Sequence, residues 1–362
     1  MQTIIQPLAF HSALLRGAQK VEGKRDELNR INGFPVPDRD TGNNLAYLMQ
    51  QLRRQLPAPQ SFEELLSKLC EVSLINARGN SGAIFSQYFS GFKEAAADLK
   101  QSITEMLPLH VLALMFNHGY TSAFRSIQKP REGTIISAMR SFADGFHRLL
   151  VQGGDLLQAA EGALHDLRQT VRQTASILPQ QRALRAPDAG AMAFLHFVEG
   201  FLSALLGRED EDNEADIAMQ AGIAAEMADE VHAELDADEQ SAYRYCTEVL
   251  VKLAREDDIT EGMKAKLAAL GDSMVVSRSA GIARVHLHTD KPQQAVDLME
   301  ELGALMEVKA DDMRMQQALA SPHPGKTALI IDSIADVPED SLGEDVYCLP
   351  LHLLIDGVSF QD

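Results

Sequence analysis

From residue 8 to about 206, apolar side chains recur three and four positions apart, and strand-like alternation is nearly absent. A chain patterned this way has to bury one stripe of each of several helices, so its first half is restricted to helix-on-helix packing. The stretch "SFEELLSKLCEVSLINA" (61–77) shows the pattern: Phe62, Leu65, Leu66, Leu69 and Leu74 share one side, and Ser61 with Glu64 has the spacing of a capping box. Similar helices are expected over 8–31, 43–55, 83–97, 106–128, 133–151, 155–176 and 189–206. About eight helices over residues 1–207 predict an all-α domain.

The texture then changes. "REDEDNEAD" (208–216) carries six acids in nine residues and reads as a solvated segment; with a helix over 215–235 it makes an acidic linker and connecting helix over 208–235. Beyond it, "YRYCTEVLVKL", "SMVVSRS", "IARVHLHT" and "ALMEVKA" read as strands, and "TEGMKAKLAAL" and "PQQAVDLMEEL" as helices. That order, βαββαβ over 236–318, predicts a ferredoxin-like split βαβ domain. "ASPHPGKT" supplies a Pro/Gly linker over 319–326. In 327–362, "ALIIDS" and "VYCLPLHLLI" read as strands of the buried type, and Asp356-Gly357 as the start of a hairpin turn. These last residues are expected to be the beginning of a third domain whose core lies in sequence not present. The fold class is therefore multidomain, α followed by α+β.

Charge narrows the function. With 52 acidic and 33 basic side chains the chain carries a formal −19, which repels phosphate backbones and argues against nucleic acid as a partner. Nucleotides remain open, because a bound cation reverses the sign inside a cleft. Three cysteines, far apart and odd in number, make no disulfide framework. There is no signal-type apolar core near the start and no run long enough for a transmembrane segment, so a soluble, cytoplasmic protein is expected.

The chemistry concentrates at turns. "NGFPVPDRDTGNN" (32–44) stiffens a turn with Pro35 and Pro37 and then places Asp38 and Asp40 two apart, where both carboxylates can face one point. Hard cations such as Mg²⁺ take a few carboxylates and complete their shell with water and phosphate oxygens, and Asn32 and Asn44 offer further neutral oxygens. The plainer reading, an Asx-rich turn capping the next helix, weighs about evenly on this motif alone. "ARGNSGAIFSQ" (77–87) sets Asn80, Ser81 and Gly82 at a helix start, a natural anion site, though a glycine-rich turn between helices is the commoner case. "KPREGTIISAMR" (129–140) and "PDAGAMAF" (187–194) repeat the arrangement at Thr134 and at Asp188 and Gly190. Each is weak alone; four such turns exceed what helix packing requires.

"PGKT" (324–327) is not a P-loop: Ala320 stands where the first glycine is needed, and the strand follows rather than precedes. Cys246, His286 and His288 form a separate set. The two histidines are two apart on one strand and share a face, and in a split βαβ fold the first strand neighbours the third. One thiolate and two imidazoles suit zinc. A buried cysteine beside two histidines on a polar sheet face is the alternative.

Taken together, "LNRINGFPVPDRDTGNNL", "ARGNSGAIFSQ", "KPREGTI" and "PDAGAMAFLHFVEGF" resemble the four motifs of the fatty acid kinase ATP-binding domain, itself related to the nucleotide-binding subunit of dihydroxyacetone kinase. "YCTEVL", "LGDSMVV", "VHLHTDKP" and "DDMRMQQ" are similar to that kinase's middle domain, and "IIDSIADVPED" with "LPLHLLIDGVSFQD" resembles the start of a DegV-type fatty-acid-binding protein. The resemblance implies an eight-helix barrel binding ATP with two Mg²⁺ ions. It implies metal roles for Asn32, Asp38 and Asp40, with the two aspartates catalytic, and nucleotide contacts from Asn44, Asn80, Ser81, Gly82, Thr134, Asp188 and Gly190. It also implies a Zn²⁺ site at Cys246, His286 and His288. Arg39 and Asn76 stand where the family usually has glycine, and Pro187 and Ala191 alter the fourth loop.

The expected activity is an ATP-dependent phosphotransferase that converts a fatty acid, carried by a DegV-type domain in cis or in trans, into an acyl phosphate. A homodimer is the expected assembly. A dihydroxyacetone-type small-molecule kinase and an inactive nucleotide- or lipid-sensing regulator are the alternatives.

Overall fold

The computed structural model describes residues 4–32, 40–98, 106–208, 242–255, 259–314, 329–332, 335, 346–349, 351–355 and 358–361. Asp38, Arg39 and the helix expected at 215–235 lie outside them. The described residues form two compact units, one helical and one built on a sheet.

The helical unit contains α1 (Pro7–Gly23), α2 (Arg25–Arg30), α3 (Thr41–Gln55), α4 (Phe62–Asn76), α5 (Gly79–Asp98), α6 (Leu109–Ser126), α7 (Ile135–Val151), α8 (Leu156–Thr174), α9 (Pro179–Leu184) and α10 (Ala189–Leu205). Eight of these are long, at the positions the apolar spacing predicts. The single helix expected over 8–31 divides at Lys24, following Gly23, whose low helix propensity makes it a weak point. The helix expected from 106 begins only at Leu109, because Leu107–Pro108 (β2) pairs with Ile4–Ile5 (β1). The short α9 had no periodic signal to announce it.

Sequence dictates which helix sits at the centre. Every residue of α10 from Ala189 to Val198 is buried, as a helix apolar on all sides must be, and it packs on α1, α7 and α8. Around it the phenylalanines interlock. Phe10 meets Phe62, Phe92 and Phe201 edge to face, and Phe116 meets Phe146 at 89° between ring planes. At the start of α4, the Ser61 hydroxyl accepts from the Glu64 N–H, while the Glu64 carboxylate reaches back past Ser61 to the Gln60 N–H, one residue beyond the capping box the spacing predicts.

A sheet with two helices follows: β3 (Tyr245–Leu253), α11 (Glu261–Ala268), β4 (Gly271–Ser279), β5 (Ile282–Thr289), α12 (Pro292–Glu300) and β6 (Gly303–Asp312), all in the second unit except Val275–Ala280, which groups with the helical one. Its strands lie in the order β4-β5-β3-β6, with β3 antiparallel to both neighbours, which is the order of a split βαβ unit. Alternation sorts the side chains: Val249, Val251, Ala283, Val285 and Leu287 form a buried, mainly apolar face that also takes Thr247, whereas Cys246, Glu248, Arg284, His286 and His288 alternate onto the other.

The last residues give β7 (Leu329–Asp332), β8 (Val346–Leu349), β9 (His352–Ile355) and β10 (Val358–Gln361). β10 runs parallel to β6 and extends the sheet, and β9 pairs antiparallel with β10; the expected Asp356-Gly357 turn lies outside the described residues. The run 346–355 carries two strands, β8 and β9, rather than one. Buried strands were expected here, but Leu329, Ile330, Leu353 and Ile355 are exposed. Apolar composition specifies a strand that is able to be covered, without supplying what covers it. Among the described residues no helix is long and apolar enough to cross a membrane.

Candidate functional site

Four helix starts carry the predicted nucleotide and metal residues, and contacts link them in a chain. Asp40 caps the start of α3, and its carboxylate accepts a 2.8 Å hydrogen bond from Asn44 Nδ2 one turn on. The Asn44 amide lies directly against Gly79, the first residue of α5, where a Cβ would stand 2.7 Å from Asn44 Nδ2. Gly79 also has φ +61°, so a side chain is excluded there on two counts. Asn80, Ser81 and Gly82 follow in the first turn of α5.

Ser81 in turn faces the start of α10. A Cβ on Gly190 would lie 3.5 Å from Ser81 Oγ, 3.2 Å from Asp188 Oδ2 and 3.2 Å from Ile135 Cβ. Ile135 opens α7 directly after Thr134, its N-cap residue. Asp188 caps α10, accepting from the Ala191 N–H at 2.8 Å, and backbone N–H groups of Ile135 and Gly190 also point at its carboxylate. Burial pushes its pKa up to about 6 against the opposing pull of those N–H groups. Asn32 is buried at the end of α2. Thus Asp40, Asn44, Asn80, Ser81, Gly82, Thr134, Asp188 and Gly190 belong to one connected set of turns.

Helix N-termini expose unpaired N–H groups and partial positive charge, and here those of α3, α5, α7 and α10 are neighbours. That is a setting for phosphate oxygens, and Asp40 and Asn44 add the hard oxygens that Mg²⁺ prefers. Sequence reasoning missed three supports. The Thr174 hydroxyl accepts from the Asp188 N–H at 2.9 Å and fixes the fourth turn. The Arg78 guanidinium lies 3.6 Å over the Tyr47 ring, beside the second. Asn29 bonds Asn43 twice, through its oxygen and its amide, beside the first. Only the asparagine had a signal, being one more side-chain amide within the same Asn-rich run.

In the sheet unit, Cys246 lies opposite His288 and Glu248 opposite His286. The ligating atoms of Cys246, His286 and His288 fall within 4.8 Å of one another, with Cys246 Sγ 3.8 Å from His286 Nδ1. The Glu248 carboxylate is 3.0 Å from His286 Nδ1 and also receives the Arg284 guanidinium at 3.1 Å, all three side chains being 2% exposed. Burial opposes ionisation of Glu248, but His286 and Arg284 outweigh it and hold its pKa well below the usual carboxylate range. His286 Nε2 is buried with no hydrogen-bond partner among the described residues. A thiolate, two imidazoles and an orphaned ring nitrogen fit a zinc ion. The alternation of charged and apolar residues in "TEVLVKL" and "ARVHLHT" signalled a polar face; only the register reveals that Glu248 meets His286.

Comparison with known proteins gives two domain matches. Residues 35–203 match the DAK2 domain family, and residues 242–319 match a family described as the middle domain of fatty acid kinase-like proteins. An uncharacterized protein of Staphylococcus saprophyticus is 27% identical over 326 residues, covering 88% of this chain and 58% of that protein. Uncharacterized proteins of Staphylococcus haemolyticus and Mycoplasma pneumoniae are 28% and 26% identical, covering 85% and 93% of this chain. The chain spans 55% and 62% of their lengths. Among solved structures, the native dihydroxyacetone kinase of C. freundii aligns with a TM-score of 0.41 and 16% identity, over 54% of this chain and 34% of that one. The two domain matches follow one another along the chain, which is thus similar to the DAK2 domain over 35–203 and to the fatty acid kinase-like middle domain over 242–319.

Proposed function

We propose that this chain is an ATP-dependent phosphotransferase of the fatty acid kinase type, acting on a fatty acid presented by a DegV-type protein. The observation that carries the reading is the linkage of the starts of α3, α5, α7 and α10 through Asp40–Asn44, Asn44–Gly79 and Ser81–Gly190–Ile135. The N–H groups at the start of α5 receive the phosphates, with the Ser81 and Thr134 hydroxyls beside them, while those of Ile135, Gly190 and Ala191 hold the Asp188 carboxylate. The close approach around Gly79 and Gly190 leaves backbone rather than side chain facing the nucleotide. Asp38 and Asp40, with Asn32, hold Mg²⁺, which neutralises charge on the transferring phosphoryl group when bound.

The carboxylate oxygen of the fatty acid attacks the γ-phosphorus, the bond to the bridging oxygen breaks, and ADP leaves as acyl phosphate forms. A carboxylate is already ionised near neutral pH, so no side chain need remove a proton. Cys246, His286 and His288 hold a structural or docking Zn²⁺, with Glu248 orienting His286.

Purified chain incubated with ATP, Mg²⁺ and a fatty-acid-loaded DegV-type protein should yield ADP and acyl phosphate. Transfer to dihydroxyacetone instead would move the activity to the small-molecule kinases, and nucleotide binding without turnover would make the chain a sensor.

A further inference from the structure

Between α2 and α10 lies a buried cluster of charges that the proposed chemistry does not use. His196, on the largely apolar α10, is 5% exposed, and its two buried ring nitrogens face carboxylates without a hydrogen bond of normal length among the described residues. Its Nε2 lies 3.5 Å from Glu27 Oε1 on α2, and its Nδ1 lies 3.8 Å from Glu199 Oε2 on its own helix. Glu199 is held by Lys20 of α1 at 3.0 Å and by two hydrogen bonds from Arg168 of α8. Lys24 lies 3.5 Å from Glu27.

The helix that His196 touches through Glu27 is the one packed against the first turn of α3. α2 is only six residues long, too short to be stable unaided. Two residues beyond Glu27, Asn29 Oδ1 accepts the Asn43 N–H at 3.1 Å and Asn29 Nδ2 donates to Asn43 Oδ1 at 3.1 Å. Gly42 presses into the same helix: a Cβ there would stand 2.0 Å from the Arg25 carbonyl oxygen. α2 and the first turn of α3 are therefore one clamp, and Asp40 with Asn44 projects from its α3 side.

We propose that His196 is a positioning residue whose proton braces α2 against α10 through Glu27 and so sets the first turn of α3, which directly follows Asp40 and carries Asn43 and Asn44. The inference rests on the reading of that turn as the Mg²⁺–nucleotide site. Burial alone would disfavour the charged imidazole, but Glu199 and Glu27 outweigh it and raise the pKa of His196 above its ordinary 6.5. The folded chain thus holds this proton more tightly than the unfolded chain does. The brace is complete below about pH 6.5 and is lost as pH rises through the raised folded value.

The test is amide hydrogen exchange at Asn43 and Asn44, corrected for intrinsic rate, in the full chain without nucleotide, alongside Mg²⁺-ATP affinity across the same pH range. Protection at these amides should fall severalfold, up to about tenfold per pKa unit of coupling, as pH rises through the raised His196 value in the wild type. It should lie low and flat in His196→Gln. Mg²⁺-ATP affinity should follow the same profile and lose its pH dependence in the variant. If His196→Gln does not fold, Glu27→Gln removes the same contact from the α2 side and must give the same flat profile. Unchanged protection profiles in a folded variant overturn the brace, whatever the nucleotide does. A brace response without any Mg²⁺-ATP binding upholds the brace and overturns the nucleotide reading.

Discussion

At the scale of single residues, two carboxylates on the same set of turns have different tasks. Asp40 sits at a helix start, bonded to Asn44 and half-buried, so its carboxylate oxygens are open to a cation. Asp188 is 4% exposed and engaged by backbone N–H groups, which makes it a shape-setting cap. Asp38→Asn and Asp40→Asn should each lower phosphoryl transfer by about a hundredfold or more, as loss of transition-state charge stabilisation does, with the helical circular dichroism unchanged; near wild-type turnover in both would remove them from the metal. Asp188 should show itself in stability. Its folded pKa, pushed up to about 6 by burial, exceeds the unfolded value, so folding is favoured while it is protonated and loses free energy as pH rises from about 4 through 6. Asp188→Asn has no such proton to release. Denaturant midpoints should fall across that range in the wild type relative to the variant, and parallel curves would show that the aspartate does not titrate there.

At the scale of elements, the helices were legible because their stripes are local. Phe62, Leu65, Leu66 and Leu69 are all buried on α4, as their spacing requires. Ser61→Ala should cost about 1 kcal/mol of unfolding free energy through the lost N-cap, measurable by urea titration. The elements that escaped were those fixed by contacts distant in sequence. Nothing in "RDELNR" announces that Glu27 will meet His196, far along the chain, and a six-residue helix has too few positions for a period to stand out. The clamp it forms makes its own prediction. Gly42→Ala puts a methyl group into the Arg25 carbonyl, and backbone cannot step aside as a side chain can. The variant should lose Mg²⁺-ATP affinity at least severalfold while keeping its helical content; equal affinity would mean that α2 and α3 do not need their close crossing.

Across the whole molecule, the two candidate sites fall in different units and rest on different physics. The turns of the helical unit were each readable as weak motifs, but their meeting at Ser81, Gly190 and Ile135 depends on how eight long helices pack, which no local pattern encodes. The Cys-His-His set was readable because strand alternation puts His286 and His288 on one face and the βαββαβ order brings β3 beside β5. Its supporting Glu248 and Arg284 needed the register. This difference gives a test that separates the sites. Protein purified without chelator should carry about one zinc per chain, the stoichiometry of a single Cys-His-His centre. Cys246→Ala should lose that zinc and lower the unfolding midpoint of the sheet unit, because binding free energy at such a site is folding free energy. The same variant should bind Mg²⁺-ATP with wild-type affinity, since every residue assigned to the nucleotide lies between Asn32 and Gly190. Loss of nucleotide binding together with the zinc would show that the thiol centre takes part in the phosphoryl-transfer site, and retention of stability in strong chelator would leave Cys246, His286 and His288 as a buried polar face and nothing more.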